Sequence, residues 1–327
     1  MKLLIVTQVV DTNHSNLGFF VRWIEEFAKH CDEVTVIANE VGRYTLPKNV
    51  TVYGLGKEYG SARIKRYVKF LALILWFTRS YDAVFCHMNP EFVLAGASWW
   101  RILRKPTALW YVHGTVSKRL HAALAMVDIA FTTNKESLRV LSPKVRIVGH
   151  GIDTKFFAPA SGARTNALLS VGRLTESKHH DLVIRAAALA KRPVRIAGDG
   201  PERGNLEALA KRLGVDVTFL GGITQAALRT EYQKAAFLVH TSTTGSMDKV
   251  VLEALACDCP VVTTSETYAN EKLWPVDAVE ASDKAIADAV SRSPQQSDRA
   301  LVVRENHSLE NLIPKLVYGL SEKVSRQ

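Results

Sequence analysis

The chain has 327 residues, 47% of them hydrophobic and 23% charged, enough for a sizeable core and long enough that two domains are expected. Net charge is +10 and uneven: up to Ala158 there are 21 Lys and Arg against 12 Asp and Glu, and after it 21 against 20, so the first half is expected to face something acidic or an anionic surface. The four cysteines, Cys31, Cys86, Cys257 and Cys259, have no His/Cys cluster around them, which argues against a zinc site and fits a reducing cytoplasm. The longest apolar run, FLALILWF at 70–77, is too short to span a bilayer.

The opening MKLLIVTQVVDTN has one Lys before an apolar run but no small-residue cleavage site, and Asp11 and Asn13 follow at once. It reads as a buried first strand rather than a signal peptide. The polar loop DTNHSNLGFF comes next, in which His14 and Asn16 either shape a ligand site or sit on a solvated loop. From Gly18, the residues Phe20, Trp23, Ile24 and Phe27 recur at helical spacing. Strand-like runs EVTVIA, VTVYGL, DAVFCH, TALWYV and VDIAFT follow, mostly separated by helical segments. Two of those segments, ARIKRYVKFLALILWF (62–77) and SWWRILRK (98–105), mix cations with aromatic and aliphatic residues. They suit either a face resting on anionic headgroups or helices packed on a sheet with solvated cations at their ends.

After residue 160 the alternation restarts with ALLSVGR, a helix from about Lys178 to Lys191, VRIAG, a helix around 202–213, VTFLGG and AFLVH. PVVTT is expected to close the series, before a last helix from about Ser308 to Val324. Doubly buried strands alternating with helices predict parallel sheets covered by helices. Two series predict an α/β chain of two Rossmann-like domains: 1–157, 158–307, and a C-terminal helix within 308–327 that packs back toward the first domain. The join is the polar, Gly/Pro-containing stretch 149–165. Ligands of parallel sheets sit at strand carboxyl ends, so a cleft between two facing domains is the expected site.

Four strand-end stretches of the second half bear on chemistry. SVGRLTESKHHD (170–181) places Gly172, Arg173 and Lys178 on a loop leading into a helix, where paired cations and free amides suit a phosphate. IAGDGPERG (196–204) reads as a tight structural turn. In FLGGIT (219–224), Gly222 and Ile223 offer either a backbone that approaches a flat ring closely or a plain loop. TSTTGSMDKVVLEALA (241–256) places Gly245 and Ser246 before a helix, where their amides would meet a phosphate or a sugar hydroxyl. On that helix Glu253 is an acceptor for a ribose diol or a capping acid.

The stretches VGRLTESKHHDLVIRA, IAGDGP, FLGGI and DKVVLEALACDCPVV together resemble the donor domain of family 4 glycosyltransferases, retaining enzymes of the GT-B fold. GHGIDTKFF resembles their interdomain stretch, and WYVHGTVSK their acceptor-domain segment. The likeness covers nearly the whole chain, strong over 145–265 and loose before it. The resemblance implies that Arg173 and Lys178 hold a nucleotide diphosphate, that Glu253 binds the ribose and that His113 reaches the transferred sugar. It also implies that Gly18 meets the phosphates. On its own residues His113 is an ordinary strand-end histidine.

One departure matters. The family's paired glutamates, with seven residues between them, would fall at 245 and 253, and position 245 is glycine. Asp248 either substitutes for the missing carboxylate or caps its helix. Asp258, where glycine is usual, alters a turn.

The resemblance implies a glycosyltransferase of hexosyltransferase type that uses a UDP- or GDP-linked sugar and a lipid-linked or saccharide acceptor in cell-envelope polysaccharide synthesis. Its expected place is the cytoplasm, peripheral at the inner face of the membrane, with an anionic membrane surface as a further partner. No Asp-x-Asp occurs in the sequence, so the reaction is expected to need neither metal nor cofactor, with cations and helix amides neutralising the leaving group. Rival readings are a nucleotide-sugar-binding paralogue weakened by Gly245, and an epimerase of the same fold. A dehydrogenase fares worst, because no Gly-x-Gly-x-x-Gly follows the first strand. Nucleic acid is not an expected partner, since the cations accompany no recognised nucleic-acid-binding module.

Overall fold

The computed structural model describes residues 1–243, 245, 247–269, 276–294 and 297–325. In chain order the first part comprises β1 (Lys2–Val10), α1 (Phe19–His30), β2 (Glu33–Val41), β3 (Val50–Gly54), α2 (Arg63–Trp76), β4 (Ala83–His87), α3 (Pro90–Ile102), β5 (Thr107–Trp110), α4 (Lys118–Met126), β6 (Ile129–Thr132) and β7 (Val145–Ile147). The second comprises β8 (Leu168–Val171), α5 (His180–Ala190), β9 (Val194–Ala197), α6 (Arg203–Leu213), β10 (Val217–Gly221), α7 (Gln225–Lys234), β11 (Phe237–His240), α8 (Lys249–Ala256), β12 (Val261–Thr263), α9 (Glu266–Ala269), β13 (Val276–Ala278), α10 (Asp283–Ser291) and α11 (Arg299–His307). A final helix, α12 (Leu309–Val324), ends the described chain.

The chain divides into two units, Met1–Gly151 with Leu309–Gln327, and Ile152–Ser308. Unit 1 is built on a seven-stranded parallel sheet of order β3-β2-β1-β4-β5-β6-β7, and unit 2 on a six-stranded parallel sheet of order β10-β9-β8-β11-β12-β13. Central strands such as β4 are buried at every residue, as expected of strands covered on both faces. Among the described residues no helix is long and apolar enough to cross a membrane.

Three boundaries differ from expectation. The strand series does not close at β12, because β13 pairs beside it; like β7 it is a three-residue edge strand whose first residue is half-buried and whose other two are exposed, so no apolar run announces it. The seam falls at 151/152 rather than 157/158. Ile152 and Phe157 are buried in the core of unit 2, and the Ile152 amide donates to the His307 carbonyl at 2.8 Å, closing that unit on itself. The helix expected from Lys178 begins at His180, after a 3-10 turn Glu176–Lys178 and a left-handed His179 (φ 48°).

In unit 1, α12 lies against α1. Leu312, Ile313, Leu316 and Leu320 join Trp23, Phe27 and Phe131 in one buried cluster. The Trp23 indole donates to the Gly151 carbonyl at 3.0 Å.

Candidate functional site

The strand order of unit 2 reverses between β8 and β11, so their outgoing loops part and leave a crevice at the carboxyl ends, the usual ligand position in such sheets. Here the two loops are laced together. The Thr241 hydroxyl donates to the carbonyls of Lys178 (2.7 Å) and His179 (3.0 Å), and the Thr243 amide donates to the Ser177 carbonyl at 3.1 Å. The hydroxyl cluster after β11 therefore sets the height of the Lys178 loop.

Lys178 is the centre of the arrangement. Its Nζ donates to Asp248 Oδ2 at 2.5 Å and to Ser242 Oγ at 3.0 Å. The same Asp248 oxygen lies 3.1 Å from His240 Nε2, and His240 Nδ1 lies 3.0 Å from the Thr263 hydroxyl. Burial works against the Asp248 charge, but hydrogen bonding from His240 and the Lys178 ammonium more than offset it and hold the carboxyl below the usual carboxylate range. Asp248 stands at the N-cap position of α8 but makes no side-chain cap hydrogen bond there; its carboxylate instead holds Lys178. Arg173 is exposed on the same loop, its carbonyl 3.3 Å from His180 Nε2.

Beneath the loop, His180 Nδ1 lies 2.8 Å from the Ser170 hydroxyl, and burial lowers its pKa from 6.5 to about 4. The ring is neutral at neutral pH, so the cationic character of the crevice rests on Lys178 and Arg173.

The glycines separate into two kinds. A Cβ on Gly198 would stand 1.8 Å from the Gly172 carbonyl oxygen, and one on Gly200 would stand 2.4 Å from that of Leu174. These residues let two backbones touch, which makes the β9 turn structural, as its sequence suggests. Gly222 is different: nothing lies within 4 Å of a Cβ there. It is exposed beside half-buried Ile223, just before Thr224 caps α7 through the Ala227 amide at 3.3 Å.

Gly245 takes a left-handed φ of 70°, and its carbonyl accepts from the Thr267 hydroxyl at 3.2 Å. A glutamate here would be strained by that left-handed backbone, so the turn as it stands favours glycine. Ser246 lies outside the described residues. Glu253 is 1% exposed. Its Oε2 accepts from the Tyr232 hydroxyl at 3.1 Å, and its Oε1 lies 3.5 Å from Lys249 Nζ. Burial, then the neighbouring Glu253 charge, push the Tyr232 phenol well above its ordinary pKa, so it stays a donor. The geometry holds Glu253 as an oriented, hydrogen-bonded carboxylate with acceptor capacity left over.

In unit 1, His14 Nδ1 accepts from the amides of Asn16 (3.2 Å) and Leu17 (3.1 Å) and so shapes the turn into α1. Gly18 is buried, and a Cβ there would stand 2.7 Å from the carbonyls of Thr12 and His14. Asn16 is exposed. His113 is exposed past β5, and its Nδ1 accepts from the Thr115 amide at 3.1 Å, which puts the proton of a neutral ring on the outward Nε2. Sequence reasoning missed His240 and Ser242. The strand-end histidine and the hydroxyl run after it were the available signal.

Residues 151–290 match the family described as Glycosyl transferases group 1. A D-inositol 3-phosphate glycosyltransferase of Kribbella flavida is 36% identical over 146 residues, 36% of this chain and 34% of that protein. An N-acetylgalactosamine-N,N'-diacetylbacillosaminyl-diphospho-undecaprenol 4-alpha-N-acetylgalactosaminyltransferase of Campylobacter jejuni is 35% identical over 115 residues, 34% of this chain and 31% of that protein. The chain thus matches about a third of the length of these relatives. Its fold is that of HepE of Anabaena, crystallised with UDP and glucose (TM-score 0.75, 16% identity, 98% of this chain and 100% of that one), and of sucrose-phosphate synthase of Thermosynechococcus elongatus (0.78, 16%, 100% of each). Both units therefore have the parallel α/β architecture of GT-B glycosyltransferases.

Proposed function

We propose, from the premise that residues 151–290 belong to the group 1 glycosyl transferases, that the chain moves a sugar from a UDP- or GDP-linked donor to a lipid-linked or saccharide acceptor, with retention and without metal. The observation that carries this reading is the pairing of Lys178 with Ser242 and Asp248 at the point where the strand order of unit 2 reverses.

The bond from the anomeric carbon to the terminal phosphate oxygen breaks, and negative charge gathers on the diphosphate. In this reading Lys178, Arg173 and the first amides of α5 neutralise that charge, a job needing no ion. The acceptor hydroxyl attacks from the same face and its proton passes to the departing phosphate, so no dedicated base is required. Glu253 takes the ribose diol. Metal independence rests on the absence of Asp-x-Asp from the sequence. The relatives' names support transfer of a sugar, and HepE's bound UDP supports a nucleotide-linked donor with uridine as the base to test first.

Gly245 favours a second reading, a nucleotide-sugar-binding paralogue with little turnover. Hydrolysis of the donor in the absence of acceptor separates the two, since a binding protein releases no sugar.

The deciding experiment is calorimetric titration with UDP and GDP. Lys178→Ala should weaken the preferred nucleotide about tenfold or more in a variant whose fold is checked by circular dichroism, with the unfolding midpoint lowered because Asp248 loses its ammonium partner. Glu253→Gln should cost about 1–3 kcal/mol of binding, with deoxyribonucleotide binding weakened likewise in the wild type. Unchanged affinity in the lysine variant would remove the phosphate assignment.

A further inference from the structure

Unit 1 holds a recess of about 750 Å³, within the range of small-molecule sites. It opens where the order of that sheet reverses between β1 and β4, the position at which doubly wound sheets bind ligands. Gln8 on β1, Asn39 on β2 and Asn89 just past β4 all line it. Its inner end is polar and built: Asn39 Nδ2 donates to Gln8 Oε1 at 3.0 Å, and Asn39 Oδ1 accepts from Arg66 Nη1 at 2.5 Å.

Two properties of the lining belong to different parts of one ligand. The first is charge. Lys57, Arg63, Arg66 and Arg119 line the recess with a single carboxylate, Glu91. Glu91 is shared, its Oε2 taking Arg63 Nη2 at 3.0 Å and its Oε1 taking Arg119 Nη1 at 2.5 Å. Lys57 is itself paired with Glu40 at 2.8 Å, so two acids against four cations leave a smaller surplus of positive charge, centred on Arg63, Arg66 and Arg119, and the N-termini of α2 and α3 begin on the same rim.

The second property is apolarity. Leu55 and Phe70 are 3% and 0% exposed, and Phe70 packs on Phe92 with ring centroids 5.1 Å apart. Ile64 and Tyr67 carry this surface out of the recess, 78% and 51% exposed, onto the solvent face of α2, where Val68, Leu75 and Trp76 are exposed at 59%, 49% and 83%. A saccharide alone would leave that apolar track uncovered, and a nucleotide would leave it half covered.

We propose that this recess binds a long-chain phosphate or diphosphate, isoprenoid or alkyl. Its anionic head lies against Arg63, Arg66 and Arg119, and its chain lies over Phe92, Ile64 and Tyr67 and out along α2. Taking that lipid as the sugar acceptor rests on the glycosyltransferase reading; the binding itself does not.

Farnesyl diphosphate is the probe, titrated calorimetrically below its aggregation concentration against inorganic pyrophosphate and farnesol. The diphosphate lipid should bind at least about tenfold tighter than either, since each lacks half of the match. Ala95→Trp, which fills the recess, and Arg63→Glu, which reverses charge on its exposed rim, should each weaken binding about tenfold. Circular dichroism and the unfolding midpoint identify any variant that fails to fold, and the rim substitution tests the site independently of the filling one.

Pyrophosphate binding as tightly as farnesyl diphosphate would mean a simple anion site and overturn the proposal. So would unchanged affinity in folded Ala95→Trp. Cosedimentation with phosphatidylglycerol/phosphatidylcholine vesicles that farnesyl diphosphate does not reduce would place the lipid contact on a bilayer surface rather than in the recess, and would overturn it too. UDP binding is titrated in the same preparation: lipid binding without UDP binding would sink the transferase reading and leave this one standing, and the reverse result would do the opposite.

Discussion

Lys178 is held by Asp248 and Ser242, so in the proposed reaction a diphosphate competes with the Asp248 carboxylate for the ammonium, each phosphate contact gains less, and binding is sensitive to Asp248. His180, one turn away, contributes differently. Its folded pKa of about 4 lies below the ordinary 6.5, so the unfolded chain binds that proton more readily. The cost is absent above pH 6.5, grows as pH falls toward 4 and reaches about 3 kcal/mol in order of magnitude. Urea midpoints measured between pH 7 and 4 should fall in the wild type and fall less in His180→Gln. Equal slopes would remove His180 from the acid sensitivity of unit 2. The acid partner of Lys178 was open to sequence reading, because Asp248 stands three residues from the vacant glutamate position. Tyr232 was not, since it lies on α7 and meets Glu253 only through packing.

Elements were legible in proportion to their burial. β1 and β4 read as apolar runs because helices cover both faces of the sheet, whereas β7 and β13 border solvent and carry polar residues that hide them. The loops follow the same division. The need for glycine at 198 arises from a backbone 26 residues earlier, and sequence spacing alone does not reveal that distance. Gly198→Ala should destabilise the protein by more than about 2 kcal/mol, because the clash is with backbone and no side chain can swing away. Gly222→Ala, with open space around its Cβ, should stay within about 0.5 kcal/mol of wild type. Thermal and urea unfolding of the pair checks both; similar losses would show that the close approach of the β8 and β9 turns is not what Gly198 serves.

At the scale of the whole molecule, unit 1 is assembled from both ends of the described chain. Leu316 is fully buried and packs in the cluster that holds Phe27 and Phe131. Leu316→Ala should cost about 2–5 kcal/mol, the range for emptying such a site. Hydrogen exchange should place the loosening in α1, β4 and β6 rather than in residues 152–308. Uniform loosening across both units would contradict the division of the chain.

The seam residues close unit 2 locally, through the Ile152 amide and the His307 carbonyl, but unit 1 waits for α12. On a translating ribosome the order of synthesis and the order of folding then part company. The stretch made second has all of its own core once Ser308 has emerged, while the stretch made first still shows Trp23 and Phe131 an unfilled groove. In that interval the N-terminal half is finished in sequence, while the part of its core that α12 covers stays open.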